Sequence, residues 1–140
     1  MEIKEILTGL NQRQVTVSEL IHLGQVLVKV NGRRRLELDN HISVQNLFET
    51  DETSISLGNF PDEGAYYPEH CHKGIIEYLI CLKGSFGLSL PHNGYRILKE
   101  KECARIPTNV MHSVISLETD SEMLAICLPK EPGYTSCKGE

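Results

Sequence analysis

Residues 69–78, EHCHKGIIEY, gather the side chains of this chain best suited to chemistry. His70 and His72 flank Cys71, and Glu77 follows in a run, Ile75 to Leu82, that is otherwise apolar on both faces. In an extended strand, residues two apart point to one side, so His70 and His72 aim together and Cys71 aims away. Lys73-Gly74 then makes a turn and the chain returns through IIEYLICL. An antiparallel neighbour of this kind can set the Glu77 carboxylate beside two imidazoles. A buried carboxylate without a partner is costly, so Glu77 needs one. Two neutral nitrogen donors and one carboxylate suit a divalent transition metal and leave room for further ligands. Fe, Mn, Zn, Ni and Cu are all compatible with such donors.

Other residues are candidates by position. Cys81 shares the parity of Glu77 and is a candidate substrate contact, against the reading of a small buried hydrophobe. Tyr66 and Pro68 share the parity of His70 and His72. Tyr66 is a candidate to hydrogen-bond a substrate or to act in catalysis; the alternative is a packed aromatic at the mouth of the fold. Arg105 stands two residues before Pro107 among apolar neighbours. It either binds a carboxylate or phosphate or extends outward to water. His112 is a lone histidine on an apolar strand, and nothing local ties it to the others. His22, His41 and His92 lie in polar or turn contexts and need no special role.

The elements that must position these residues are strands. From residue 42 onward, short apolar segments recur: 42–49, 53–60, 65–72, 76–83, 86–90, 95–99, 103–107, 112–118 and 122–129. Gly, Pro, Asn, Asp or Glu separate them, and no helical pattern intervenes. This texture predicts an all-β sandwich or barrel. Asn93-Gly94 between apolar runs predicts a tight type I′ hairpin over 86–99. The first 38 residues read less simply. EIKEIL suits a short helix. GQVLVKVNGRRRLEL reads as a hairpin about Asn31-Gly32, yet Leu20, Leu23, Leu27 and Val30 also mark one helical face. The β-branched density of VLVKV favours strands. The division expected is an N-terminal extension over 1–38, a barrel over 39–130 and a flexible tail over 131–140.

Bulk properties exclude several classes. Fourteen basic residues against nineteen acidic ones give a net charge of −5, which argues against a nucleic-acid binder. The single basic cluster, Arg33-Arg34-Arg35, reads as a solvated loop or edge strand. The N-terminal residues show no apolar core of a secretory signal, and no run is long enough to span a membrane, so a cytoplasmic protein without a membrane partner is expected. The five cysteines are odd in number and form no CxxC pair, which suits free thiols.

The segment Gly64-x5-His70-x-His72-x4-Glu77-x6-Gly84 resembles the first conserved motif of the cupin superfamily without deviation. The second motif, glycine, proline, glycine, histidine, asparagine, is similar to Lys101, Pro107, Asn109, His112 and Ser116. Proline and the histidine ligand are retained; both glycines and the asparagine are replaced. The resemblance covers about residues 42–129. It implies a double-stranded β-helix, or jelly-roll barrel, with a short N-terminal extension, paired as a homodimer. It also implies that His112 joins His70, His72 and Glu77 as a metal ligand.

Four protein ligands leave positions for water, oxygen or substrate on a metal that takes six. The first functional expectation is therefore a metal-dependent, dioxygenase-like oxidoreductase acting on a small organic molecule, with Glu77 as a possible base. The alternatives are a non-catalytic module that senses a small ligand or a metal, and an isomerase or epimerase of sugars.

Overall fold

The structure, a computed structural model, describes residues 16–31, 35–37, 41–49, 53–70, 72–90, 94–129 and 135–136. Among the described residues, a helix, α1 (Val17–Asn31), is followed by twelve strands. These are β1 (Arg35–Glu37), β2 (Ser43–Glu49), β3 (Ser54–Phe60), β4 (Tyr66–His70), β5 (His72–Lys73), β6 (Ile75–Lys83), β7 (Ser85–Leu90), β8 (Gly94–Lys99), β9 (Cys103–Ile106), β10 (His112–Ser116), β11 (Ser121–Pro129) and β12 (Thr135–Ser136). The nine strands expected from residue 42 onward all occur, with ends shifted by one or two residues; the 65–72 segment divides into β4 and β5. No helix among the described residues is long and apolar enough to cross a membrane.

The strands form two facing antiparallel sheets. One has the order β1-β2-β3-β11-β6-β9 and the other β4-β10-β7-β8, with β12 and β5 as a small separate pair. Between the large sheets lies an apolar core that includes Ile42, Phe60, Leu79, Phe86, Leu88 and Leu98. The Phe60 and Phe86 rings meet edge to face across it, with centroids 4.9 Å apart. Such a pair joins the sheets more firmly than area burial alone.

The outer face of the six-stranded sheet is also covered. Leu20, Leu23 and Leu27 of α1 pack on Ile55, Leu57, Ile80, Leu124 and Ile126. Gly24 lets the helix approach closely: a Cβ there would stand 2.9 Å from Leu124 Cδ2. Burial on both faces explains why β6 and β11 read as continuous apolar runs with no alternation.

The preference for strands over VLVKV is corrected by α1. The Glu19 N–H donates to Thr16 Oγ1 at 3.2 Å, and the Leu20 N–H donates to the Thr16 carbonyl at 3.1 Å. Thr16 with Glu19 three residues on is a helix-start pattern. The cap and the buried leucine stripe outweigh a propensity difference of well under ~1 kcal/mol per residue. The hairpin about Asn31-Gly32 is likewise replaced: β1 pairs with β2 instead. EIKEIL, Arg33 and Arg34 lie outside the described residues, as does most of the expected tail.

The hairpin over 86–99 is present as β7–β8, but its turn differs. Leu90 pairs with Gly94, so Asn93-Gly94 is not the central pair of a two-residue turn in this register. Gly94 instead opens the return strand at φ +88°. Residues 91–93 themselves lie outside the described residues.

Leu23 is fully buried between helix and sheet. Leu23→Ala should lower unfolding free energy by about 2–5 kcal/mol. Urea denaturation measures this, and a loss below about 1 kcal/mol would show that α1 does not seal the sheet.

Candidate functional site

Register decides which residues of the six-stranded sheet face inward. Cys127 of β11 lies opposite both Ser54 of β3 and Glu77 of β6, and Glu77 lies opposite Ile106 of β9. The next inward row is Ser56, Ala125, Leu79 and Ala104. Directly opposed antiparallel residues share a face, so these rows line the interior while Ile55, Ile80 and Leu124 face α1. In the opposite sheet, β10 turns His112, Val114 and Ser116 inward, and all three are buried.

Glu77 and His112 meet across the gap between the sheets. His112 Nε2 lies 2.8 Å from Glu77 Oε1, with Glu77 7% and His112 1% exposed. The His112 Nδ1–H donates to the Val110 carbonyl at 2.9 Å, which turns Nε2 toward the carboxylate. The Cys127 thiol donates to Glu77 Oε2 at 3.4 Å. Burial acts to lower the pKa of His112. The hydrogen bond and charge of Glu77 and the Val110 carbonyl outweigh it, and hold the imidazole above its ordinary value. Burial, then the Glu77 charge, push the Cys127 thiol far above the ordinary thiol range. Tyr67 is also raised, by burial and by the charges of Glu77 and Cys127.

These groups sit on the wall of a cavity of about 160 Å³ between the sheets. Its other walls include Val44, Phe60, Leu79, Val114, Met123 and Ala125.

His112 is held as a ligating histidine usually is, with its second ring N–H donated to a carbonyl, here that of Val110. The backbone register also sets His70 opposite His112. Of His70 and His72 only the backbone is described, and Cys71 lies outside the described residues. Among the described residues, no group of three or more His, Cys, Asp or Glu is placed to hold a metal.

The parity expectation for Tyr66 fails because of a bulge in β4. Between the pairs His70/His112 and Tyr67/Val114, β4 spans three residues where β10 spans two. This bulge reverses the alternation in β4. Tyr67 therefore lines the cavity, while Tyr66 stands opposite Ile115 and is 46% exposed. Tyr66, expected to contact substrate or act in catalysis, is not among the described residues that line the cavity. Arg105 lies opposite Tyr78 on the outer face of β9 and is exposed, so it does not reach the cavity. Cys81 does face inward but packs in the core beyond the cavity, where its thiol donates to the Lys83 and Gly84 carbonyls. Burial pushes this thiol up to about 11.

Cys127 and Tyr67 are site residues that the sequence reading did not select. AICLP offers no alternation to show which way Cys127 points, because both faces of β11 are buried. Tyr67 was concealed by the bulge.

The departures from the second motif have structural substitutes. Lys101 and Asn109, at the two glycine positions, have φ values of +70° and +64°, the left-handed conformation a glycine adopts freely. The Lys101 N–H donates to the Cys81 carbonyl at 2.7 Å, which holds that turn against β6. Ser116, at the asparagine position, accepts the Ala65 N–H at its Oγ, and its Oγ–H donates to the Asp62 carbonyl. It ties the end of the second motif to the start of the first.

No protein-family model matches the sequence, and no curated protein matches it. Solved structures do match in fold. KdgF from Halomonas sp. aligns with a TM-score of 0.64 and 21% identity, covering 71% of this chain and 90% of that one. The cupin domain of Cnp3 from Schizosaccharomyces pombe aligns with a TM-score of 0.62 and 13% identity, covering 71% of each. An RmlC-like cupin from Shewanella frigidimarina aligns with a TM-score of 0.62 and 16% identity, covering 70% of this chain and 85% of that one.

Two outcomes follow from these contacts. Lys101→Gly should raise stability by about 1 kcal/mol, seen as roughly 3 °C in melting temperature; a lower melting temperature would argue against the left-handed turn. Native protein at pH 8 should leave Cys81 unalkylated by iodoacetamide while denatured protein labels it, and rapid native labelling by mass spectrometry would contradict its burial.

Proposed function

The chain has the cupin fold, and on that premise we propose that it is a metal-binding cupin with His70, His72, Glu77 and His112 as ligands. The observation that carries this reading is the contact of Glu77 with His112. Thirty-five residues separate them in sequence, they lie on facing sheets, and they meet at 2.8 Å beside a cavity. A carboxylate and an imidazole buried together in this way suit Fe, Mn, Zn or Ni.

The metal, when bound, supplies Lewis acidity or dioxygen activation. The residues of the chain do the rest. Val110 orients His112, and Cys127 holds the second oxygen of Glu77. Glu77 is the proposed base, since its Oε1 lies 2.8 Å from His112 Nε2, within reach of proton transfer. Tyr67 and the apolar walls exclude water and orient a ligand. We read the activity as a dioxygenase-like oxidation of a small organic molecule.

Metal analysis of anaerobically purified protein tests the site. The wild type should carry close to one metal per chain, and Glu77→Ala and His112→Ala should each lower metal affinity at least about tenfold. Unchanged metal content in Glu77→Ala would sink the assignment. Oxygen consumption with a catechol, flavonol or thiol supports the oxidoreductase. A melting temperature raised by metal or ligand, with no turnover of any substrate, supports the sensing module instead.

A further inference from the structure

We infer that the cavity takes a small molecule with a compact apolar body and a single polar end, rather than a sugar, a sugar acid or a nucleotide. This deepens the metal-site reading and rests on it only for the polar end.

The polar groups of the cavity gather in one place. Glu77 receives His112 at one oxygen and Cys127 at the other, and Tyr67 lies near enough for both Glu77 and Cys127 to act on it electrostatically. The remaining side chains are almost all apolar: Val44, Phe60, Leu79, Val114, Met123 and Ala125, with Ser56 as the exception. No Lys or Arg is among the described lining residues.

Three ligand classes meet this wall badly. A hexose carries a hydroxyl on nearly every carbon, and each one set against an apolar wall loses its water without gaining a partner. A sugar acid carries the same hydroxyls besides the one charge that the polar end could take, and a nucleotide carries several charges where the described lining offers no Lys or Arg. The cavity holds about 160 Å³, and a cavity of roughly 150 Å³ accommodates a benzene-sized molecule.

The room itself comes from small residues on the inward face. Ser56, Gly58 and Ala125 stand side by side on β3 and β11, where the register opposes Ser56 to Ala125 and Gly58 to Met123. Enlarging a side chain in this row or opposite it fills the cavity without touching Glu77 or His112.

The test uses thermal unfolding of the full chain, both metal-loaded and EDTA-treated, with phenol and benzyl alcohol against glucose and glucuronate. At ten times its dissociation constant, phenol or benzyl alcohol should raise the melting temperature by about 4 °C in both forms, while glucose and glucuronate leave it unchanged. Ala125→Leu and Val114→Phe should each abolish the response. Ala125→Leu, the milder filling, decides the matter if Val114→Phe loses the folded far-UV CD spectrum. The inference is overturned if glucose or glucuronate shifts the protein as much as the aromatic alcohols, if neither aromatic alcohol shifts it, or if the filled variant responds like the wild type. Failure of the metal reading appears separately, as absent metal with the aromatic response intact after EDTA.

Discussion

The six-stranded sheet is buried on both faces, and the interior of this protein depends on that burial. Its outer face carries Ile55, Leu57, Ile80, Leu124 and Ile126, the large apolar residues that α1 covers. Much of the hydrophobic stabilisation of β3, β6 and β11 is thereby placed outside the barrel. The inward face of the same strands can hold Ser54, Ser56, Gly58, Ala125 and Cys127, residues too small or too polar to build a core by themselves. A cavity results where a fully packed sandwich would have none. The helix is therefore part of what makes room for the cavity, although none of the described lining residues belongs to it.

Within that interior, Glu77 is held from two directions. His112 reaches it from the facing sheet and Cys127 from the adjacent strand, so each carboxylate oxygen has a hydrogen-bond donor. A buried carboxylate held in this way is kept in one orientation. The same contacts set a boundary: polar chemistry stays at one end of the cavity, and apolar walls form the rest. Phe60 and Phe86 close the core elsewhere between the sheets. The fold thus separates a polar end from a hydrophobic body within one cavity.

The turns that shape this site use unusual residues for their backbone. Lys101 and Asn109 take the left-handed conformation, and the turn at Lys101 is secured by its N–H bonding to Cys81. Gly84, by contrast, cannot be replaced: a Cβ would stand 2.2 Å from Ser121 Oγ, and its φ is +76°. The first motif keeps Gly84 where space forbids a side chain, and Gly64 where there is open space but φ is +81°. The second gives its glycines up at exposed turns, where the cost is conformational only.

Much of this was legible in the residues. Strand positions from 42 onward followed from short apolar segments set between turn-forming residues, because strand formation is local in its signals. Glu77 announced itself as a carboxylate in an apolar run that must find a partner, and the resemblance of motifs tied His112 to it as a fellow metal ligand. Other features depended on three-dimensional pairing. The β4 bulge exchanged Tyr66 for Tyr67, since one extra residue reverses every later assignment of faces. Arg105 turned outward and Cys81 fell beyond the cavity, because parity selects a face but not a depth along it. VLVKV became helix because Leu20, Leu23 and Leu27 together have a sheet to cover. Cys127 had no sequence signal at all, for a strand buried on both faces carries no alternation. The sequence by itself determined the strands and the buried acid; only the packing of helix on sheet, and sheet on sheet, decided which side chains share one space.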